Sequence, residues 1–467
     1  MRLRASPFAP PSPDQPWRSA FSAALLTLLV LPIHAIELDI NSEASIKQVA
    51  KTLAKGLTSY YTGYRPGDVP GNLPAPYYWW EAGAMFGALI DYWYYTGDDT
   101  YNAMTTQALL HQASPSRNFM PVNQTRTEGN DDQSFWGIAA MAAAERKFPD
   151  PPPDQPQWLA LAQGTFNSQA ERWDAETCGG GLRWQIFRFN PGFDYKNTIS
   201  NGGFFHLGAR LATYTNNQTY ADWAEKTWDW MERMGLITKE YYFIDGAHNV
   251  TMGCTALDRI QWTYNAGINL LGAAYMFNYT KGSEKWRRRV QGIVDGLGIF
   301  FESTNIMVEV ACERKGNCKV DQLSFKSYLS RWMAATTQVA PFTTDQIMPK
   351  LRASAVGAAK ACGGGPDGNL CSLKWTTGRF EGESGVGQQM AALEVVQSNL
   401  IKGRPPPVTN RTGGTSKGDP SAGYQKGITL PDSVTREITA ADKAGAGILT
   451  IVIVAVIVAT PYWLLSS

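Results

Sequence analysis

Asn130-Asp131-Asp132-Gln133-Ser134-Phe135-Trp136-Gly137-Ile138-Ala139-Ala140-Met141 is the stretch whose reading decides the fold. Preceded by Glu128-Gly129, it is a loop that turns into a helix, polar for a few residues and then apolar and alanine-rich. A helix that is apolar nearly all round is a buried one. An Asn or Asp at its start suits an N-cap, because the side-chain oxygen accepts from the first free backbone N–H groups. One cap needs one oxygen, so capping leaves the second of the two adjacent carboxylates unexplained. Two like charges so close repel, and at least one pKa should rise. A proton donor beside an ionised partner is what cleavage of a glycosidic bond uses.

The same pattern recurs outward along the chain. Tyr77-Tyr78-Trp79-Trp80-Glu81-Ala82-Gly83 opens a helix to about Tyr95. Further polar starts of apolar helices are Asn197 to His206 (with Asn201), Arg259 to Gly267 (with Trp262, Tyr264 and Asn265) and Glu383, and one more such helix runs over Asp321 to Val339. Between them lie Ser42 to Tyr61, Asp98 to Gln112, Trp158 to Trp173, Tyr220 to Met234, Glu284 to Phe301 and Thr344 to Ala361; the charges of Tyr220 to Met234 and Glu284 to Phe301 keep to one face, as on a surface helix. Apart from a Gly-rich turn at Gly179-Gly180-Gly181, which opens a short extended piece, strand signals are nearly absent. Six buried helices inside six amphipathic ones, joined by short links, predict an all-α fold: a closed (α/α)6 barrel over residues 36–401. An α-solenoid would show a repeated motif, and none is visible. One mouth of the barrel should then gather Glu81, Asp131, Asp132, Asn201, Tyr264 and Asn265, ringed by Tyr78, Trp80, Trp262 and Trp375.

Composition narrows the ligand. The formal charge of the 467 residues is +1, which offers no bulk field for nucleic acid. With 16 Trp and 20 Tyr, the chain has aromatic rings to spare for stacking on sugar faces beyond those filling a core. Gly363-Gly364-Gly365 lies between two cysteines, not between strand and helix, and the Gly179 to Gly181 run lacks the lysine of a phosphate loop. Only four His are present and the cysteine spacings do not suit zinc, so no metal and no cofactor is expected. Carboxylates, amides and aromatics suit a neutral polyhydroxyl ligand.

The ends carry an address. Residues 1–35 read as a secretory signal, with Arg2, Arg4 and Arg18 before the apolar Phe21 to Leu31. Residues 402–446, rich in Pro, Gly, Ser and Thr, read as a stalk without the apolar content to fold. Residues 447–467, almost unbroken Ile, Val, Ala and Leu from Gly447 to Thr460 and preceded by a small-residue run, read as a GPI attachment signal, with a single membrane-spanning helix as the alternative. An even cysteine count in a secreted chain predicts disulfides. Cys312 with Cys318 and Cys362 with Cys371 each bracket a Gly-containing loop, leaving Cys178 for Cys254. Asn123, Asn217, Asn249, Asn278 and Asn410 head glycosylation sequons. The expected location is the outer face of the plasma membrane and the cell wall.

Glu128 to Gln133, the Trp79-Trp80-Glu81 helix start, Ser200-Asn201-Gly202-Gly203-Phe204-Phe205 and Thr263-Tyr264-Asn265 resemble glycoside hydrolase family 76, the α-1,6-mannanases. The likeness spans roughly Ile36 to Leu400 and is closer to the fungal cell-wall branch, whose members are secreted and GPI-anchored. The resemblance implies an (α/α)6 barrel and a retaining mechanism, with Asp131 as nucleophile and Asp132 as general acid/base. It also implies an α-mannose glycan as substrate, the mannose core of a GPI anchor or mannan, and wall β-glucan as an acceptor for transglycosylation. Tyr78, Trp80, Glu81, Asn130, Gln133, Asn201, Trp262, Tyr264 and Asn265 are then candidates for holding sugar. The rival expectation is a catalytically silent mannan-binding wall lectin or scaffold. A lyase would need cationic groups at the mouth.

Overall fold

The computed structural model describes residues 35–248 and 250–424, with a few more between 440 and 454. The signal segment, most of the 447–467 tail and Asn249 lie outside the described residues. Twelve α-helices organise residues 43–397. They are α1 (Glu43–Thr58), α2 (Trp79–Thr96), α3 (Asn102–Gln112), α4 (Asn130–Glu145), α5 (Trp158–Glu171) and α6 (Thr198–Thr215), followed by α7 (Gln218–Arg233), α8 (Thr263–Tyr279), α9 (Glu284–Gly296), α10 (Phe325–Val339), α11 (Thr344–Lys360) and α12 (Val386–Gln397). The even-numbered helices pack in turn, α2 on α4, α4 on α6, and so on until α12 returns to α2. The odd-numbered ones pack outside them. This closed double ring is the (α/α)6 barrel that the pattern of apolar and amphipathic helices predicts.

The inner helices approach closely where glycine faces a ring: a Cβ on Gly83 of α2 would stand 2.8 Å from the indole of Trp136 on α4. Trp136 in turn stacks on Trp79, with centroids 5.1 Å apart. Deep in the barrel the inner ring is tied by charge. Asp91 of α2 contacts Arg146, the C-cap of α4, and lies 3.2 Å from Arg331 of α10, which also pairs with Glu394 of α12 at 2.7 Å. Arg210 of α6 pairs with Glu145 of α4 at 2.6 Å and donates to His206 Nε2, whose Nδ1–H donates to Ile268 O of α8. All of these side chains are buried except Arg146, which is 10% exposed. Three cations meet three anions, so the buried cluster balances its own charge. Burial and the Arg210 charge push the His206 pKa well down, leaving a neutral structural imidazole.

The connections are not uniformly short. The chain enters each inner helix through a long segment (59–78, 113–129, 172–197, 234–262, 297–324 and 361–385) and leaves it through a shorter one. All the long segments therefore lie at one end, the mouth. A three-stranded antiparallel sheet, β1 (Tyr195–Asn197), β2 (Gly246–His248) and β3 (Ala256–Asp258), joins two of them. The bridges Cys178–Cys254, Cys312–Cys318 and Cys362–Cys371 are all formed, each within or between mouth segments. The asparagines of four sequons, Asn123, Asn217, Asn278 and Asn410, are exposed.

The composition after Lys402 predicts an unfolded stalk, yet residues up to Tyr424 form a strap along the outer wall. Val408 N–H donates to Glu145 O at 2.8 Å and Asn410 N–H to Tyr214 O at 3.1 Å, both at the far end. The strap then climbs α5. Ser416 Oγ accepts from Leu159 N–H, Gln163 Oε1 accepts from Asp419 N–H, and Asn167 Nδ2 donates to Pro420 O and Ala422 O. It reaches the mouth where Gly423 N–H donates to Ser116 O at 2.8 Å. Apolar content missed this segment because polar side chains of α5 bind its backbone, and α5 is accordingly buried on both faces.

Candidate active site

Asp131 and Asp132 occupy the first turn of α4, with Gly129 as N-cap. Their side chains diverge. Asp132 turns back, and its Oδ2 accepts from Gly129 N–H at 2.7 Å, so it is the second carboxylate that caps the helix. Asp131 turns outward: Oδ2 accepts from Trp184 Nε1–H at 2.9 Å, while Oδ1 is buried without a partner. Trp184 arrives on the segment after the Gly179 to Gly181 turn. It is held in place because Asn130 N–H donates to its carbonyl at 2.8 Å. Glycine at 129 is required by space, since a Cβ there would lie 2.3 Å from Asp131 Oδ1 and 3.1 Å from Trp184 O.

Two adjoining cavities open at this point. One, of about 300 Å³, is lined by Asp131, Asp132, Tyr195, Asp245, Trp262 and Tyr264 among others. The second, of about 420 Å³, is lined by Tyr78, Trp79, Gln124, Thr127, Glu128 and Gln185. Trp80, Asp132, Trp184 and Asp321 border both. Asp131 thus reaches only the first compartment, and Asp132 stands in the wall between the two. No Lys, Arg or His lines either one, which removes the cationic groups a uronic-acid lyase would use.

Crowded acids set the electrostatics. Burial, with the Asp321 charge adding to it, pushes Asp132 up to about 7, against the Gly129 hydrogen bond. Burial and then the Asp132 charge hold Asp131 well above the usual carboxylate range. The two titrate as a pair, so the pair keeps one proton into the neutral range. Burial and Asp132 also raise Glu128. Burial raises Asp321, whose Oδ1 accepts from Trp80 Nε1–H at 3.1 Å. Burial likewise raises Asp245, which accepts from Tyr195 OH at 2.6 Å.

The structure brings Asp131, Asp132, Trp80, Trp262 and Tyr264 to the first cavity and Tyr78 to the second. Tyr264 stacks flat on Phe325, centroids 3.8 Å apart. Other expected contacts are corrected. Asn130 Nδ2 donates to Arg183 O and its Oδ1 accepts from Arg172. Gln133 is buried, donating to Asn118 O and Ser168 and accepting from Arg172. Asn201 holds the segment after the Gly-rich turn through Leu182 N–H and O. These three support the site from behind. Asn265 lies outside the cavity lining and donates to Asp245 Oδ1 at 3.3 Å, steadying a carboxylate that does line it. Glu81 accepts from Tyr78 N–H at the start of α2 and pairs with no cation; burial lifts its pKa to about 8. Trp375 lies away from the mouth cavities, 3.8 Å beneath the Lys326 ammonium. Sequence reasoning missed Trp184, Tyr195, Asp245 and Asp321. They sit in long connecting segments, where periodicity carries no signal; the tryptophan beside the Gly-rich turn was the one visible hint.

A family model described as Glycosyl hydrolase family 76 matches residues 45–411. The chain is 47% identical over 448 residues to the mannan endo-1,6-alpha-mannosidase DCW1 of Eremothecium gossypii, covering 95% of this chain and 98% of that one. It is 44% identical to the DFG5 enzyme of Saccharomyces cerevisiae over 92% of this chain and 94% of that protein. Among solved structures it matches Dfg5 from Chaetomium thermophilum in complex with glucosamine, at 48% identity and TM-score 0.80, over 83% of this chain and 97% of that one. At 16% identity and TM-score 0.60, over 76% of this chain and 99% of that one, it shares the fold of an inactive variant of the alpha-1,6-mannanase GH76A of Salegentibacter, in complex with alpha-1,6-mannotriose. The chain belongs to glycosyl hydrolase family 76.

Proposed function

We propose that the protein is a retaining, endo-acting α-1,6-mannosidase whose two catalytic carboxylates are Asp131 and Asp132. The observation that carries this reading is their unequal placement: Asp131 lines one compartment only, and Asp132 stands between two. A mannose in the first compartment is attacked at C1 by the Asp131 carboxylate. Asp132 gives its proton to the glycosidic oxygen, and the bond to the sugar in the second compartment breaks. Asp132, now ionised, takes a proton from an incoming hydroxyl whose oxygen displaces Asp131 from C1. If that hydroxyl belongs to water the outcome is hydrolysis, and if to a sugar, transglycosylation. The printed activity of the DCW1 and DFG5 relatives supports α-1,6-linked mannose as the substrate. The secretory segment, sequons and apolar tail support action outside the cell from a GPI anchor, on the mannose core of other GPI-linked glycoproteins, with wall β-glucan as acceptor.

The test is turnover of α-1,6-mannotriose by Asp131→Asn and Asp132→Asn. Both should lose activity while keeping a wild-type circular-dichroism spectrum. A wild-type rate in either would overturn the assignment. Mannan binding that ignores both substitutions, with no turnover by the unaltered protein, would instead mark a lectin.

A further inference from the structure

Large apolar side chains that stand out into solvent are confined to one end of the barrel. Within residues 35–424 these are Tyr64 and Val69 before α2, Phe189 before α6, Met252 and Ile260 before α8, and Tyr424 at the end of the strap. Tyr78 and Val122, the remaining two, lie on the same mouth segments. The far-end connections and the outer helices carry none. Single exposed apolar residues are ordinary on a soluble protein; their collection around one rim is what calls for an explanation.

A second observation says what faces the rim. The strap carries the chain from the far end to the mouth, where Gly423 is bonded to Ser116 on the same connecting segment, 113–129, as Gln124, Thr127 and Glu128 of the second cavity. Residues Arg117, Gly164 and Gly423 cross there so tightly that a Cβ on Gly164 would lie 2.0 Å from Arg117 O. Arg117 also pairs with Asp419 at 2.7 Å. The described strap ends there, at Tyr424, and residues 425–446 separate it from the apolar run 447–460. The exposed sequon asparagines Asn217, Asn278 and Asn410 lie at the opposite end, while Asn123 is at the rim beside Val122.

We infer that the mouth rim is a bilayer-docking face: the strap hands the anchor off at the mouth, Tyr64, Phe189 and Met252 dip into the lipid interface, and the groove opens toward glycans borne on the membrane. Aromatic and long aliphatic side chains at loop tips suit the headgroup boundary. Few such residues give weak binding alone, so the anchor supplies the second hold. The inference rests on the proposed anchorage and deepens the proposed function by naming a membrane-presented substrate.

The test uses the full chain, purified with the anchor its host attaches and reconstituted in phosphatidylcholine vesicles doped with an acceptor-labelled lipid. One dye is placed at Arg126→Cys on the rim and, separately, at Thr100→Cys at the far end. Helices of 16 to 18 residues separate the two ends by about 25 Å, so the rim dye should be quenched and the far dye nearly unaffected. Equal quenching, or stronger quenching at the far end, overturns the inference. The variant Tyr64→Ser/Phe189→Ser/Met252→Ser should cleave a lipid-linked α-1,6-mannobiose about tenfold more slowly than the unaltered chain, with an unchanged rate on soluble α-1,6-mannotriose. Equal losses on both substrates overturn it, as does rim burial in a lipid-free dimer. Absence of soluble turnover by the unaltered protein would sink the glycosidase reading alone, because the dye positions report orientation without it.

Discussion

At the residue scale the site depends on two neighbouring carboxylates made unequal by their partners. The Asp131–Asp132 pair titrates as a unit and, with Asp132 pushed up to about 7, holds one proton into the neutral range, so kcat/KM for α-1,6-mannotriose should fall as pH rises through 7. Asp132→Asn should remove that limb along with the activity. A dinitrophenyl leaving group, which needs no protonation, should restore the first step of Asp132→Asn but not of Asp131→Asn. A pre-steady-state burst of dinitrophenolate from Asp132→Asn reads this; its absence would place the acid elsewhere. Gly129→Ala adds a carbon 2.3 Å from Asp131 Oδ1, and a displaced nucleophile should cost about 100-fold in kcat, with the melting temperature little changed. Much of this was legible in Asn130-Asp131-Asp132, since a second acid at a cap needs a reason. Which acid caps was not legible, because two adjacent carboxylates at a helix start offer the same acceptor chemistry.

At the element scale, helix starts serve two masters. Glu81 caps α2 through Tyr78 N–H, yet its other oxygen is buried and unpaired. Its pKa is about 8 in the folded protein, against about 4.3 in an unfolded chain. Between those values the folded state binds more protons than the unfolded one, so this group's contribution to stability falls as pH rises from about 4 to 8. Glu81→Gln lacks that loss. The melting temperature of Glu81→Gln relative to the unaltered protein should therefore be higher at pH 8 than at pH 4, by scanning calorimetry; the reverse order would refute the linkage. The helices themselves were legible from their periodicity, all twelve of them. The boundaries were less so: Glu284 to Phe301 ends its α-helix at Gly296 and closes as a 3-10 turn over Leu297–Phe300, and Asp321–Leu323 is a separate 3-10 turn before α10. Local propensity scarcely separates a last helical turn from a 3-10 one.

At the scale of the whole molecule, two features hold the ring together that no single segment announces. The buried cluster of Asp91, Glu145, Arg146, Arg210, Arg331 and Glu394 balances three charges against three. Arg210→Met leaves Glu145 without its partner and should cost about 3–5 kcal/mol by urea denaturation; a near-neutral change would mean the cluster is not a closed ionic unit. The strap is lighter. Asn167→Ala removes donors to Pro420 O and Ala422 O and should cost about 1–3 kcal/mol, with faster amide exchange over residues 416–423 and an unchanged rate on soluble substrate. By itself the sequence determined the architecture and the acid pair, because hydrophobic periodicity and cap chemistry are local and survive in a linear reading. Only the tertiary structure decided that Trp184, Asp245 and Asp321 join the pair, that Asn130, Gln133 and Asn201 stand behind it, and that the polar strap folds at all. Those outcomes are contacts between residues far apart in the chain, set by which groups close packing leaves facing one another, and no local pattern encodes them.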